Sequence, residues 1–205
     1  MKKNFWESER IRVRSAEEAD LVFLVESRKS PDSLRQWYED EILFPLSEKE
    51  ARDGFTSDLS DFYKDDKKLF ILETLNADYA GQLQIWQVNR RAGVFRHGIF
   101  LEEEYRGKGF AKEALLIVLD FYFNELNYRK CNPYVYSYNK HSQKFHENFG
   151  FKLEARVKEE HFTRGVYHDL LYYSLFREEF NKLYGNKLWG AGVKPDIDVS
   201  SKMLF

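Results

Sequence analysis

The sequence predicts an α+β (mixed α/β) domain, a twisted sheet with helices packed on both faces. Three observations carry that assignment. Residues 68–75, 79–88 and 93–101 are apolar, β-branched runs separated by polar turns at 76–78 and 89–92, the pattern of an antiparallel meander. Residues 109–124 then turn strongly helical, with Ala111, Ala114, Leu115, Val118, Leu119 and Tyr122 recurring at helical spacing. Strands near 130–138, 152–161 and 166–176, with a helix near 140–148, complete the pattern. A strand, a helix and another strand in succession imply a parallel, right-handed crossover within the sheet.

The elements before the meander follow from local signals. Residues 10–14 alternate charged and apolar, the period of a half-buried strand. Ser15 stands three residues before Glu18, which predicts a capping box for a helix over 16–29. Two helices are expected between Asp32 and Tyr63, broken near Pro45, with Ser47 and Glu50 as a second capping box.

Composition narrows the class. The 205 residues include 18 Phe, 13 Tyr and 4 Trp, enough apolar surface for a core and an argument against disorder. One cysteine, Cys131, excludes an intramolecular disulfide and a cysteine zinc cage, and no metal is expected. The charge of −2 lacks a basic footprint for nucleic acid. No window reaches the 18 apolar residues of a membrane span, and the N-terminus has no apolar stretch of a signal peptide, so a cytoplasmic chain is expected. One domain over residues 1–181 is expected, followed by a tail over 182–205 whose Leu188, Trp189, Met203, Leu204 and Phe205 could dock on the domain itself or on a homodimer partner.

Two segments carry chemistry. In Glu104–Ala114, Gly107 and Gly109 allow a tight turn whose amides open a helix, where unpaired N–H groups and the helix dipole favour phosphate oxygens. Arg106 and Lys108 add positive charge there. The spacing excludes a Walker A loop, and a missing third glycine excludes the dinucleotide fingerprint; an ordinary glycine turn with exposed charges is the competing reading. In Tyr138–Phe151, Asn139 reads as a helix N-cap or as a group facing a ligand's amides, and Gly150 as the left-handed residue ending that helix.

Together these segments resemble the GCN5-related N-acetyltransferase superfamily. Its signature, Arg or Gln, two residues, Gly, one residue, Gly or Ala, matches Arg106, Gly109 and Ala111; its later motif matches Asn139, Ser142, Gly150 and Phe151. The similarity covers about residues 10–177, and the ending from His161 to Leu175 looks like the ribosomal-protein alanine acetyltransferase branch and the neighbouring spermidine acetyltransferases. The resemblance implies a mostly antiparallel sheet with a splayed parallel pair in its middle and acetyl-CoA as co-substrate. It places Ile99, Phe100 and Leu101 along the pantetheine arm, the amides of Arg106, Gly107, Lys108, Gly109, Phe110 and Ala111 on the pyrophosphate, and Asn139 near the arm's reactive end. Strands ending near 101 and 137 should splay; Pro133 fits reduced pairing there, or simply a later strand start.

The implied chemistry is direct attack of an amine on the thioester, helped by proximity, an oxyanion-binding strand amide and acid–base groups. Where many relatives carry a tyrosine acid this chain has His146, which is the expected general acid. Where several polyamine-type relatives have glutamate it has Arg96, which would favour an acceptor carrying a carboxylate or phosphate if it faces the site; His97, on the opposite face, competes for that place. Trp37, Tyr38 and Tyr136 are expected to contact the acceptor, with Phe44, Trp86, Tyr134, Tyr138, Phe162 and Tyr167 as further aromatic candidates. The acceptor is a small-molecule amine, an aminosugar or a protein N-terminus. The rival reading is a CoA-binding regulatory or structural domain without turnover.

Overall fold

The computed structural model describes residues 4–29, 47–62 and 66–188. Its strands are β1 (Ile11–Ser15), β2 (Lys68–Thr74), β3 (Tyr79–Asn89), β4 (Val94–Leu101), β5 (Lys130–Cys131), β6 (Tyr134–Tyr136), β7 (Lys152–Thr163) and β8 (Val166–Phe176). Its helices are α1 (Leu21–Lys29), α2 (Glu48–Phe62), α3 (Phe110–Asp120), α4 (Lys140–Phe149) and α5 (Arg177–Leu188). Among the described residues no helix is long and apolar enough to cross a membrane.

β2 to β4 form the expected antiparallel meander, β1 adds to it antiparallel to β2, and β4 pairs in parallel with β5. β5 and β6 both pair with β8, and β7 lies on β8's other edge, because Tyr172 faces Tyr134 on one side and Ala155 on the other. The sheet is thus mixed and mostly antiparallel, with one parallel pair in its middle.

Alternation along β2 divides the core between two faces. Leu69 and Ile71 pack with Leu21, Leu24, Val25 and Ala51 under α1 and α2. Phe70 and Leu72 join Leu115, Val118 and Tyr122 of the α3 side, where Phe149 and Tyr184 also lie. Each fully buried Leu, Ile or Phe contributes about 1.5–3 kcal/mol, so the aromatic-rich α3 side is the larger reservoir of stability.

Four sequence expectations need correction. The first helix is capped two residues late: Glu17 N–H donates to Asp20 Oδ2 at 2.8 Å, a short 3-10 turn over Glu18–Asp20 precedes α1, and Arg14 holds Asp20 through both carboxylate oxygens. The helix expected over 109–124 is regular only to Asp120 and widens to a π turn at Phe121–Glu125, which buries the adjacent Tyr122 and Phe123 together against Phe95. The strand expected over 130–138 breaks at Asn132–Pro133. The boundary after residue 181 cuts through α5, where Tyr184 is buried and its hydroxyl donates to the Phe149 carbonyl at 2.7 Å. The capping box of α2 is as expected, with Ser47 N–H donating to Glu50 Oε2 at 2.8 Å. Residues 30–46 and 189–205, and with them the first of the two early helices and most of the tail, lie outside the described residues.

Candidate active site

The parallel pair opens into a wedge. β4 and β5 pair only at Val94–Lys130 and Phe95–Cys131, after which Pro133, with no N–H to donate, ends the ladder and β6 pairs with β8 alone. Backbone direction along β4 follows from two bonds: Asn132 N–H donates to the Phe95 carbonyl, and Glu102 N–H donates to the Ala80 carbonyl of β3. Even-numbered residues therefore bond to β3, while the main chains of His97, Ile99 and Leu101 face the gap. Of the three residues expected along the pantetheine arm, Ile99 and Leu101 present main chain to the wedge. Phe100 does not; its backbone is turned to β3, where it pairs with Gln82.

At the open end of β4 lies the glycine turn. Gly107 and Gly109 have φ of 71° and 89°, the left-handed region where a side chain is strained, and a Cβ at Gly107 would meet nothing within 4 Å. Glu113 N–H is the first α3 amide to reach a backbone acceptor, the Gly109 carbonyl. Among the described residues the amides of Gly107, Lys108, Gly109, Phe110, Ala111 and Lys112 have no acceptor, so an anion-binding end is preformed. Side chains fix the turn from behind. Glu113 is held by the Arg10 guanidinium and by Ser8 Oγ at 2.6 Å, and Arg10 Nη1 donates to the Lys108 carbonyl at 2.8 Å. Arg106 folds back, its Nε donating to the Leu101 carbonyl at 2.8 Å, so this side chain ties the turn to β4. The Lys108 side chain is exposed.

Asn139 takes the first of its two expected roles, the helix cap. Its Oδ1 caps α4 by accepting from Ser142 N–H at 3.0 Å, and its side-chain NH2 has no acceptor among the described residues. Gly150, φ 108°, ends the helix as expected.

His146 sits in a buried chain of polar groups on the α3 side of the sheet. Its Nδ1 lies 2.8 Å from the Ser142 carbonyl, which only accepts, so Nδ1 carries the proton. Its Nε2 then accepts from His97 Nε2 at 3.3 Å, and His97 Nδ1 accepts from the Cys131 thiol at 3.2 Å. Burial lowers His146 to about 4 and His97 well below its ordinary value, and pushes the Cys131 thiol up. All three groups are neutral at pH 7. Among the described residues no cluster of His, Cys, Asp or Glu is placed to hold a metal ion.

The opposite face, shared with α1 and α2, carries Arg96. The register Leu69–Gln84–Gly98 sets this face, and it places Gln82, Gln84 and Trp86 of β3 beside Phe100, Gly98 and Arg96 of β4. Arg96 bridges the narrow end of the wedge, its guanidinium 5.3 Å from the Tyr134 ring centre and 5.2 Å from that of Tyr172. Tyr136 continues this wall, stacked on Tyr138 and 4.2 Å from the His161 ring. His97 points to the other face, where it is buried between His146 and Cys131. Phe162 and Tyr167 pack on each other at the exposed β7–β8 tip; Trp37, Tyr38 and Phe44 lie outside the described residues. Sequence reasoning missed Tyr172 and Gln82. Alternation along β8 and β3 was a usable signal for each, but only the strand register assigns the face.

A mixed sheet opened beside a preformed anion-binding turn defines an acyl-CoA-type transferase fold, and the sequence agrees. Residues 10–152 match the acetyltransferase (GNAT) domain family, and the chain belongs to that family. It is 34% identical over 192 residues to the SPbeta prophage-derived uncharacterized N-acetyltransferase YokL of Bacillus subtilis, covering 90% of this chain and all of that one. Spermidine N(1)-acetyltransferase of Escherichia coli K12 is 23% identical over 175 residues, 83% of this chain and 88% of the enzyme. Among solved structures, spermidine N-acetyltransferase from Vibrio cholerae in complex with CoA and spermine has the same fold, with a TM-score of 0.74 at 22% identity over 84% of this chain and 99% of that one. The chain is an acetyl-CoA-dependent N-acetyltransferase.

Proposed function

We propose that the chain acetylates the primary amine of a small molecule, an aminosugar or a protein N-terminus by direct attack in a ternary complex. The observation that carries this reading is the wedge, in which gap-facing β4 main chain leads straight to a glycine turn whose amides have no acceptor among the described residues. The backbone of Ile99 and Leu101 lies along the arm of acetyl-CoA, and the amides of Gly107 to Ala111 take its pyrophosphate. Asn139 donates its free NH2 to the arm. The acceptor enters from the α1–α2 face past Arg96 and Tyr136, with Trp37 and Tyr38 assigned to the same pocket from the sequence. Rate enhancement comes mainly from holding amine and thioester together, with a gap-facing β4 amide polarising the carbonyl.

His146 is assigned to building the floor of the wedge. A group that titrates near 4 holds almost no imidazolium at pH 7, and both of its ring nitrogens are engaged. Protonation of the leaving thiolate then falls to another group or to solvent. The unit extends past residue 181 to include α5, and a cytoplasmic location agrees with the free, buried Cys131. A homodimer is retained as the proposed assembly.

The experiment is calorimetric titration with CoA paired with a thiol-release assay over amine, aminosugar and N-terminal peptide acceptors. CoA binding with acceptor-dependent thiol release is the expected result. Absence of CoA binding contradicts the site, and binding without transfer to any acceptor favours the inactive CoA-binding alternative.

A further inference from the structure

Arg96 differs from Arg12, Arg14 and Lys130, three other cations of the sheet. Arg12 and Arg14 pair with Glu73, and Lys130 pairs with Glu154, whereas among the described residues Arg96 has no carboxylate partner and is held by aromatic rings. β3, β4 and β6 contain no Asp or Glu at all, so no acidic residue of these strands accompanies it on the face. Tyr134 and Tyr172 hold the guanidinium by contacts at 5.3 and 5.2 Å, which orders the fork without neutralising its charge. Gly98 beside it has no side chain, and a Cβ there would lie 2.9 Å from the Trp86 ring. Further along the same stripe Gln82 is 1% exposed, yet among the described residues neither its Oε1 nor its Nε2 has a hydrogen-bond partner. A buried amide left unpaired costs free energy until a polar group meets it.

From a preordered cation and a buried amide that both lack a polar partner among the described residues and share one stripe, we propose that the acceptor is an amine that also carries an oxyanion, a carboxylate or phosphate bound by the Arg96 fork. The arrangement disfavours a polycation, which would bring like charge to Arg96. The inference rests on the acetyltransferase reading above and adds the class of acceptor to it. Arg96 is then a specificity residue that binds the non-reacting end of the acceptor.

The test is a matched-pair acceptor assay with the full chain and saturating acetyl-CoA. One arm compares amino acids and dipeptides with their C-terminal amides, and the other compares phosphoethanolamine with ethanolamine; spermidine is run beside both. In at least one arm kcat/KM for the anionic member should exceed that of its neutral partner by about tenfold or more, the scale of a charge-assisted bidentate bond. The responding arm names the oxyanion. Arg96→Gln should erase the ratio by raising the acceptor KM, with the KM for acetyl-CoA held, and Arg96→Lys should keep part of it. Equal rates within both pairs of the unaltered chain, spermidine as the best acceptor, or a preference that survives Arg96→Gln would each overturn the inference. The unaltered chain decides the question even where a variant folds poorly. Binding of CoA with no transfer to any member would instead contradict the transferase reading and, with it, this one.

Discussion

Acidification should destabilise this protein earlier than its carboxylates require, because two histidines are buried neutral. His146 is lowered from 6.5 to about 4 by burial, and His97 is shifted in the same direction by burial and by its neighbour. For a base whose folded value is depressed, the unfolded chain binds a proton that the folded chain refuses between the two values, so stability falls as pH falls through that window. For His146 the window runs from 6.5 down to about 4, which at 1.36 kcal/mol per unit amounts to about 3 kcal/mol lost by pH 4. His97 adds a loss of the same sign. Set against a typical domain stability of about 5–15 kcal/mol, this is a large share. The carboxylates act lower. Asp66, held down by the Arg90 guanidinium, and Asp169, held down by the Glu159 amide, contribute stability that is complete above their ordinary value of 3.8 and lost below it. Urea unfolding followed by tryptophan fluorescence at pH 7.0, 6.0, 5.0 and 4.5 reads the slope, with His146→Gln as the comparison. We expect stability to drop by about 1.4 kcal/mol or more per pH unit below 6.5, and the variant to lose roughly one proton of that slope while being less stable at pH 7. A flat profile between pH 6.5 and 4.5, or an unchanged slope in the variant, would refute the buried neutral pair.

Three further outcomes follow from the geometry. Gly109→Ala should weaken CoA binding about tenfold or more in calorimetry, since its φ of 89° disfavours any β-carbon and the turn must shift its free amides; unchanged affinity would count against the turn. Gly81→Ala should cost about 1–3 kcal/mol in urea unfolding, because the added carbon would meet the Phe100 carbonyl oxygen at 2.1 Å and push β3 from β4. Truncation after Asn181 should lower stability by about 3 kcal/mol or more through loss of the buried Tyr184, whereas a dispensable tail would leave the unfolding midpoint in place.

What the sequence made legible was local. The apolar, β-branched runs located β2 to β4, and Ser47 with Glu50, Asn139 and Gly150 marked helix ends by chemistry that acts over three or four residues. The glycine turn was readable because φ above zero needs a special residue. What stayed hidden depends on partners far along the chain. The His97–His146 contact joins residues 49 apart, so nothing near His146 signalled that burial would keep it neutral. The first helix cap moved to Glu17 and Asp20 because Asp20 answers to Arg14 across the β1 end, a tertiary demand that outweighed the Ser15–Glu18 spacing. Alternation along β4 gave Arg96 and His97 opposite faces without saying which one held α1 and α2; the register through Gln84 to Leu69 supplied that. The break at Asn132–Pro133 was half visible, since a proline announces lost pairing but not that it opens the middle of the sheet.

The wedge as the acetyl-CoA site is most directly tested by residue-resolved amide hydrogen exchange with and without CoA. Slowed exchange is expected at the gap-facing amides of Ile99 and Leu101 and at Gly107 to Ala111, with Gly98 and Phe100, already bonded toward β3, nearly unchanged. Protection that leaves these amides untouched and falls elsewhere on the chain would contradict it.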